Sequence, residues 1–405
     1  MKILLITPRF YPEPFSITCI AEELCKMGHQ ITVLTGMPNY GKWKIYENFK
    51  SSPNEFHNGI RIIRINEKVR KKGVLGLIIN YLSIYVGFKK RLKKMHSDFD
   101  IVFSHLLSPI LSISYAGKYC KKHNLPHFIY GLDLWPESLA AAGYFKKNSI
   151  IFSYFKSLSK KIYNSANLIS YASPSVENYL RDYLKVSVPF KHIYQPCLTT
   201  KPPFNLISNH SYRKEGKIHI LYCGTISKFI HLDLMIKALS DDYIKDNIVF
   251  DIVGSGSDFD NIKEMVAEEK LEQCVIFHGR VTPEETKQFY YNCDVCFVPL
   301  YINSETSKMI PQKLIECLMY GRPIFGMIGG DGQKIIREAS TNNFISGQTP
   351  EEIREVLIKI INTDSNLLYN CGLENRKYFD RNKRFSIGTV CEELEECMLD
   401  LIKKK

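Results

Sequence analysis

Short apolar runs recur along the chain, separated by stretches with helical spacing. In the first half, residues 2–7, 31–35, 60–65, 100–103, 127–131 and 167–171 read as strands, and 17–28, 108–122 and 174–184 as helices. The alternation restarts with strand-like runs at 218–223, 248–253, 274–277, 294–298 and 323–326, separated by helix-like segments at 229–239, 258–271, 284–292 and 311–320. From about residue 350 onward the pattern is helical. Such alternation implies parallel strands covered by helices on both faces, here occurring twice. The expected fold is α/β: two doubly wound, Rossmann-like domains facing each other across a cleft, with ligands at the carboxyl ends of the strands. The expected boundaries are 1–196 and 216–375, with 376–405 forming helices that return toward the N-terminal domain. The stretch 196–216, containing Pro196, Pro202 and Pro203, reads as a connection.

A length of 405 residues fits two domains, and an apolar fraction of 45% supports two cores. Lys2 leads directly into Ile3-Leu4-Leu5-Ile6-Thr7 and Pro8, which does not resemble a secretion signal, so a cytosolic protein is expected. Twelve cysteines without regular spacing then point to reduced, mostly buried thiols. Cys293 and Cys296 form the only CxxC. Placed in one strand, they would face opposite ways and share no metal. The net charge of +12 is unevenly divided: residues 1–200 carry 28 Lys/Arg against 12 Asp/Glu, net +16, leaving 26 against 30, net −4, for the rest. Two halves of opposite electrostatic character suggest two tasks.

The stretch Pro311 to Pro323 reads as a well-punctuated helix, with proline at its start and Gly321 at its end. Its free N-terminal amides suit a phosphate, Lys313 adds a positive charge, and Glu316 can accept hydrogen bonds from paired hydroxyls such as those of ribose. An ordinary amphipathic helix with Lys and Glu on its wet side is the competing reading. Asp98-Phe99-Asp100 and Asp258-Phe259-Asp260 have a metal-binding spacing, yet the first opens a strand and the second caps a helix, so no metal is expected. Gly254-x-Gly256 lacks the third glycine of a dinucleotide fingerprint, Phe259 standing in its place, and reads as a plain turn.

Leu-Ile-Glu-Cys-Leu-Met-Tyr-Gly-Arg-Pro-Ile (314–324) resembles the nucleotide-binding helix of retaining family 4 glycosyltransferases of the GT-B fold. Glu316 falls on the second glutamate of that family's Glu-x7-Glu motif, while Lys308 stands at the first. Pro311-Gln312-Lys313 is similar to the Pro-x-Lys of one branch. Gly28 to Thr35 with Met37-Pro38-Asn39-Tyr40, Asp133-Leu134-Trp135-Pro136-Glu137-Ser138, and Tyr222-Cys223-Gly224-Thr225-Ile226-Ser227-Lys228 resemble the same branch, which makes capsule, O-antigen and colanic-acid-type polymers and includes N-acetylfucosamine-transferase-like enzymes. The resemblance implies a nucleotide-sugar donor, more specifically a UDP-sugar, held by Gly224, Lys228, His278, Gly279, Pro311, Lys313 and Glu316, with no cofactor and no metal. For His278, a satisfied loop histidine is an equal alternative. The loop Tyr11 to Ser16 sits where the family has a glycine-rich loop, but its glycines are absent.

Asp133 follows an expected strand, as active groups often do. It either orients the acceptor hydroxyl, with Glu137 and His105 as further catalytic candidates, or caps the Trp135-Pro136 turn. Residues 68–94 hold nine Lys/Arg and no acidic residue around the apolar run Gly73–Phe88, and 145–161 repeats the pattern. Both segments suit an in-plane helix on an anionic membrane, and burial with solvated lysines is the competing reading. The implied activity is transfer of a sugar to a polyprenyl-diphosphate-linked glycan in surface polysaccharide synthesis, on the inner face of the plasma membrane. A nucleotide-sugar epimerase and a non-catalytic sugar-nucleotide or lipid-binding subunit are the rivals. Nucleic-acid binding is disfavoured, because the basic clusters flank aliphatic runs.

Overall fold

The computed structural model describes residues 1–41, 44–47, 49, 55–71, 73–141, 143, 145–198, 201–203, 210–302 and 305–405. Lys72 of the basic segment and residues 199–200 and 204–209 of the expected connection lie outside them. The chain divides into two compact units, Met1–Leu198 with Ser386–Lys405, and Thr199–Phe385.

The first unit is built on an eight-stranded sheet of order β3-β4-β2-β1-β5-β6-β7-β8. These strands are β1 (Lys2–Ile6), β2 (Gln30–Thr35), β3 (Glu55–His57), β4 (Ile60–Arg64), β5 (Ile101–Leu106), β6 (His127–Gly131), β7 (Leu168–Tyr171) and β8 (Phe190–His192). All pairings are parallel except β3 with β4, a hairpin turned by Asn58 and Gly59, both at positive φ. A two-residue turn of that kind needs left-handed backbone at both positions, which Asn-Gly supplies at little steric cost. The central strands β5 and β6 are buried at every position, as parallel strands covered on both faces must be.

Helix Ser16–Lys26 buries Ile17, Ile20, Ala21 and Leu24, the i, i+3, i+4, i+7 stripe of a core-facing helix. The final helix, Ile387–Lys403, meets the same core through Val390, Cys391, Leu394, Cys397 and Met398. The chain therefore rejoins the first unit at Ser386, ten residues later than the expected 376, and helix Ser365–Arg381 stays in the second unit.

The second unit carries a six-stranded parallel sheet of order β11-β10-β9-β12-β13-β14. Its strands are β9 (Ile218–Cys223), β10 (Ile248–Val253), β11 (Val275–Gly279), β12 (Val295–Pro299), β13 (Ile324–Met327) and β14 (Phe344–Ile345). Helices Pro283–Asn292 and Pro350–Asn362 begin with the same four residues, Thr-Pro-Glu-Glu, and each forms a capping box with proline at its first position. That arrangement satisfies orphan amides from both sides of the turn.

Several expected elements differ in detail. Segment 108–122 splits into a 3-10 turn, Ile110–Ile113, and a helix, Ala116–His123. Segment 174–184 winds as Ser175–Asn178 followed by a wider π turn, Tyr179–Tyr183. A helix at Gly330–Ala339 was not among the expected elements. Cys293 lies outside β12 and ends helix Pro283–Asn292, so the two CxxC thiols do not diverge: their sulfurs lie 3.7 Å apart. Burial raises both thiol pKa values well above the usual range. Among the described residues no group of three or more His, Cys, Asp or Glu side chains is placed to hold a metal ion.

Candidate nucleotide-sugar site

At the carboxyl end of β9 the chain turns through Gly224, at φ +153. The loops after β9, β10 and β11 continue the ladder of the sheet: Gly224 N–H donates to Val253 O, Ile226 N–H to Ser255 O, and Gly254 N–H to Gly279 O, at 2.9, 3.1 and 2.8 Å. The approach leaves no room for side chains. A Cβ at Gly254 would collide with the Gly224 carbonyl, and one at Gly256 with that of Ile226. Gly254-x-Gly256 is thus a close backbone contact rather than a plain turn.

Facing Gly224 is helix Gln312–Met319. Pro311 occupies its N-cap position without a side-chain cap, and Gly321 ends it at φ +61. Lys313 reaches back so that its Nζ lies 4.2 Å from the centre of the Tyr222 ring, and 3.1 Å from where a Cβ on Gly224 would stand. Among the described residues this ammonium makes no ion pair or hydrogen bond, and the Tyr222 face is its neighbour. Desolvation pushes its pKa down to about 8. A half-buried, unpaired cation beside bare helix amides has the chemistry to receive an anion.

One turn further along, Glu316 Oε2 accepts a hydrogen bond from Tyr290 Oη at 3.1 Å. Burial raises the Glu316 carboxyl, while Tyr290 and the nearby Lys313 charge oppose the rise. The cation and the carboxylate therefore sit within reach of each other's charge on one helix. Two buried arginines brace it. Arg322 donates to Tyr290 O and Tyr291 O at 2.8 and 3.0 Å, and Arg376 to Met319 O at 3.1 Å, each binding carbonyls at a helix C-terminus.

The other predicted donor residues are placed differently. Lys228 is exposed and begins a 3-10 turn, Lys228–Ile230. Burial raises the pKa of Asp258, and the charge of Lys228 is the largest opposing influence. Asp258 occupies the N-cap position of its helix but makes no capping bond with its side chain, contrary to expectation. His278 Nε2 is bound to Asp251 at 2.7 Å, and the same carboxylate takes His219 Nδ1 at 3.3 Å. Gly279, at φ +67, ends β11 beside them.

In the first unit, Asp133 Oδ2 accepts the Ser108 N–H at 2.6 Å, and Trp135 Nε1 donates to Ser108 Oγ at 2.9 Å. Asp133 thus anchors the loop after β5 rather than the Trp135-Pro136 turn, and burial raises its pKa. Glu137 is buried, pairing with Lys147 at 2.8 Å and accepting from Tyr179 at 2.9 Å. His105 is fully buried. Its Nδ1 lies 3.1 Å from Thr7 Oγ1, whose proton goes to Arg9 O, so we assign the ring proton to Nδ1. Nε2 is left without a hydrogen-bond partner, and burial lowers the pKa to about 3, keeping the imidazole neutral.

Sequence reasoning missed Tyr290, Arg322 and Glu13. The Glu13 carboxylate receives the backbone N–H groups of Asn39 and Tyr40, joining the two N-terminal motifs, Tyr-Pro-Glu and Met-Pro-Asn-Tyr. A buried glutamate between prolines was the available signal for the last.

Residues 16–196 match the glycosyltransferase family 4 domain, and residues 205–384 match the domain of glycosyl transferases group 1. An uncharacterized glycosyltransferase of Methanocaldococcus jannaschii is 24% identical over 294 residues, 70% of each chain. Sucrose-phosphate synthase from Thermosynechococcus elongatus superposes with a TM-score of 0.78 at 16% identity, over 100% of both chains. WaaG, a glycosyltransferase involved in lipopolysaccharide biosynthesis, gives 0.72 at 15% identity, covering 98% of this chain and 99% of that one. Anabaena HepE in complex with UDP and glucose gives 0.66 at 13%, covering 99% and 100%. With its paired α/β domains matched over most of their length, this chain belongs to the sugar-transferring enzymes that join a family 4 domain to a group 1 domain.

Proposed function

We propose that this glycosyltransferase takes a UDP-linked sugar and transfers it, with retention and without a metal, to a polyprenyl-diphosphate-linked glycan destined for a surface polysaccharide. The observation that carries the donor half is the unpaired Lys313 ammonium beside Gly224 at the uncapped start of helix Gln312–Met319. Cleavage of a sugar–diphosphate bond places negative charge on the departing phosphate, and preorganised donors there lower the barrier. Lys313 and the helix amides supply them, Lys228 adds a mobile charge, Glu316 receives the ribose hydroxyls, and the β11 end with His278 and Gly279 flanks the base. HepE, a fold relative, binds UDP and glucose, which supports the choice of nucleotide.

The acceptor half is assigned to the first unit, with Asp133 positioning the acceptor hydroxyl and Glu137 and His105 behind it. Helix Gly73–Lys94 leaves Leu75 71% and Leu82 54% exposed and ends in Lys89, Lys90, Arg91, Lys93 and Lys94. Helix Ile150–Tyr163 leaves Ile150 90% and Tyr154 62% exposed, near Lys156, Lys160 and Lys161. Tyr81 of the first helix and Phe155 of the second both pack on Trp135, with ring centres 5.9 and 5.6 Å away. Two apolar, lysine-bordered faces thus flank the Asp-Leu-Trp-Pro-Glu-Ser element. No described helix is long and apolar enough to cross a membrane, and the arrangement suits one lying on an anionic surface. The test is incubation with a panel of UDP- and GDP-sugars and short polyprenyl-diphosphate glycans. A mass increase of one sugar on the lipid with a UDP-sugar is expected. Donor turnover with no lipid product would point instead to an epimerase.

A further inference from the structure

Tyr290 lies near the end of helix Pro283–Asn292 and is 1% exposed. Its ring stacks on Tyr320, with centres 4.5 Å apart and planes within 4°, and its carbonyl is held by Arg322. Ring and main chain are therefore both fixed, and the hydroxyl meets Glu316 Oε2 at 3.1 Å. Burial first, and then the charge of Glu316, raise the phenol pKa well above its usual value, so Tyr290 stays protonated and acts as a donor. No other described residue hydrogen-bonds to the Glu316 carboxylate, which leaves Oε1 for a ligand.

We propose that Tyr290 is a positioning residue for donor recognition, occupying Glu316 Oε2 so that Oε1 is presented, ionised, to the paired hydroxyls of the nucleotide ribose. The inference rests on the reading of Glu316 as the ribose contact. A buried carboxylate drifts toward its neutral form, which would turn one oxygen from acceptor into donor and cost it the geometry for two hydroxyls. The bond from Tyr290 favours the ionised form and fixes the carboxylate plane.

The experiment is calorimetric titration of UDP and of 2′,3′-dideoxyuridine diphosphate into the full chain, its Tyr290→Phe variant and its Glu316→Gln variant, between about pH 5 and 9. The wild type should prefer UDP. Tyr290→Phe should weaken UDP roughly tenfold, as loss of a bond to a charged group would, and leave the dideoxy analogue within about twofold. It should also move the acid-side loss of UDP affinity to higher pH, which a purely structural role would not do. Should Tyr290→Phe fail to fold, 4-fluorophenylalanine at the same position, which refills the hydroxyl's space without donating, is read the same way. If Glu316→Gln keeps the wild-type preference for UDP, the ribose reading falls and the inference with it. If Glu316→Gln loses that preference while the position-290 variant keeps both preference and pH profile, the role of Tyr290 alone is overturned.

Discussion

The Glu13 carboxylate accepts the backbone N–H of Asn39 at 2.7 Å, tying the loop after β1 to the loop after β2. Tyr40 N–H reaches the same oxygen at 2.6 Å, and Arg9 Nη1 stands 3.6 Å from it. Glu13→Ala would strand two amides and leave Arg9 with Glu67 as its remaining carboxylate neighbour. The expected cost is about 3 kcal/mol in urea unfolding, with Glu13→Gln losing roughly half as much. A loss under about 0.5 kcal/mol in the alanine variant would show that the clamp is not structural.

Lys313→Ala should weaken nucleoside-diphosphate binding by about 1–3 kcal/mol, as removal of a charge-assisted contact does. The wild type carries a second signature. Because desolvation puts the Lys313 ammonium at about 8, UDP affinity should fall as pH rises through that value, and the alanine variant should lack this limb. Lys228→Ala, on an exposed turn, should weaken UDP within the same range. Titration calorimetry between about pH 7 and 10 checks all three outcomes.

Asp251 sits between His219 and His278. Burial raises its pKa, but the bonds from the two histidines outweigh burial and hold it below the ordinary 3.8, while the bond to Asp251 raises His219 above 6.5. The Asp251 contribution is therefore present above pH 3.8 and lost as pH falls through its lowered value. The His219 contribution is full below pH 6.5 and lost as pH rises through its raised value. Asp251→Asn should destabilise the protein most near pH 5 and least near pH 9. Equal destabilisation across that range, measured by chemical unfolding, would rule the pair out as a source of pH dependence.

Leu394 is fully buried in the final helix against the core of the first unit. Leu394→Ala should cost about 2–5 kcal/mol, the usual penalty for a cavity of that size. Its effect on UDP affinity should be small, because the proposed donor residues lie in the second unit, and parallel melting and titration measurements separate the two quantities.

The paired substitution Leu75→Asp and Leu82→Asp removes exposed apolar side chains and adds negative charge beside lysines. Binding to vesicles containing about 30% anionic lipid should fall at least tenfold, and wild-type binding should weaken with added salt. Unchanged sedimentation with vesicles would remove the membrane assignment while leaving the donor site intact.

Local chemistry and hydrophobic period were enough to predict the inner strands of both sheets, because strands such as β5, buried at every position, stay apolar whatever lies around them, whereas the two- and three-residue edge strands β3, β8 and β14 were not expected. The same cues marked the Pro311-to-Gly321 helix and placed Lys313 and Glu316 in it, since helix punctuation is written in neighbouring residues. The Asn58-Gly59 hairpin and the two Thr-Pro-Glu-Glu caps are also written in neighbouring residues, yet no expectation was drawn from them, and the hairpin's first strand, three residues long, carries too little pattern to stand out. Tertiary structure alone decided which distant groups meet. Nothing within the helix says that Tyr290 will occupy one oxygen of Glu316, or that Lys313 will lie on Tyr222 close against Gly224. Cys293 and Cys296 make the same point at short range, because the chain leaves a helix between them and the strand rule does not apply. Periodicity reports which face of an element is dry, whereas a site depends on which loops the sheet order brings to one end, and sheet order is set by packing across the whole unit.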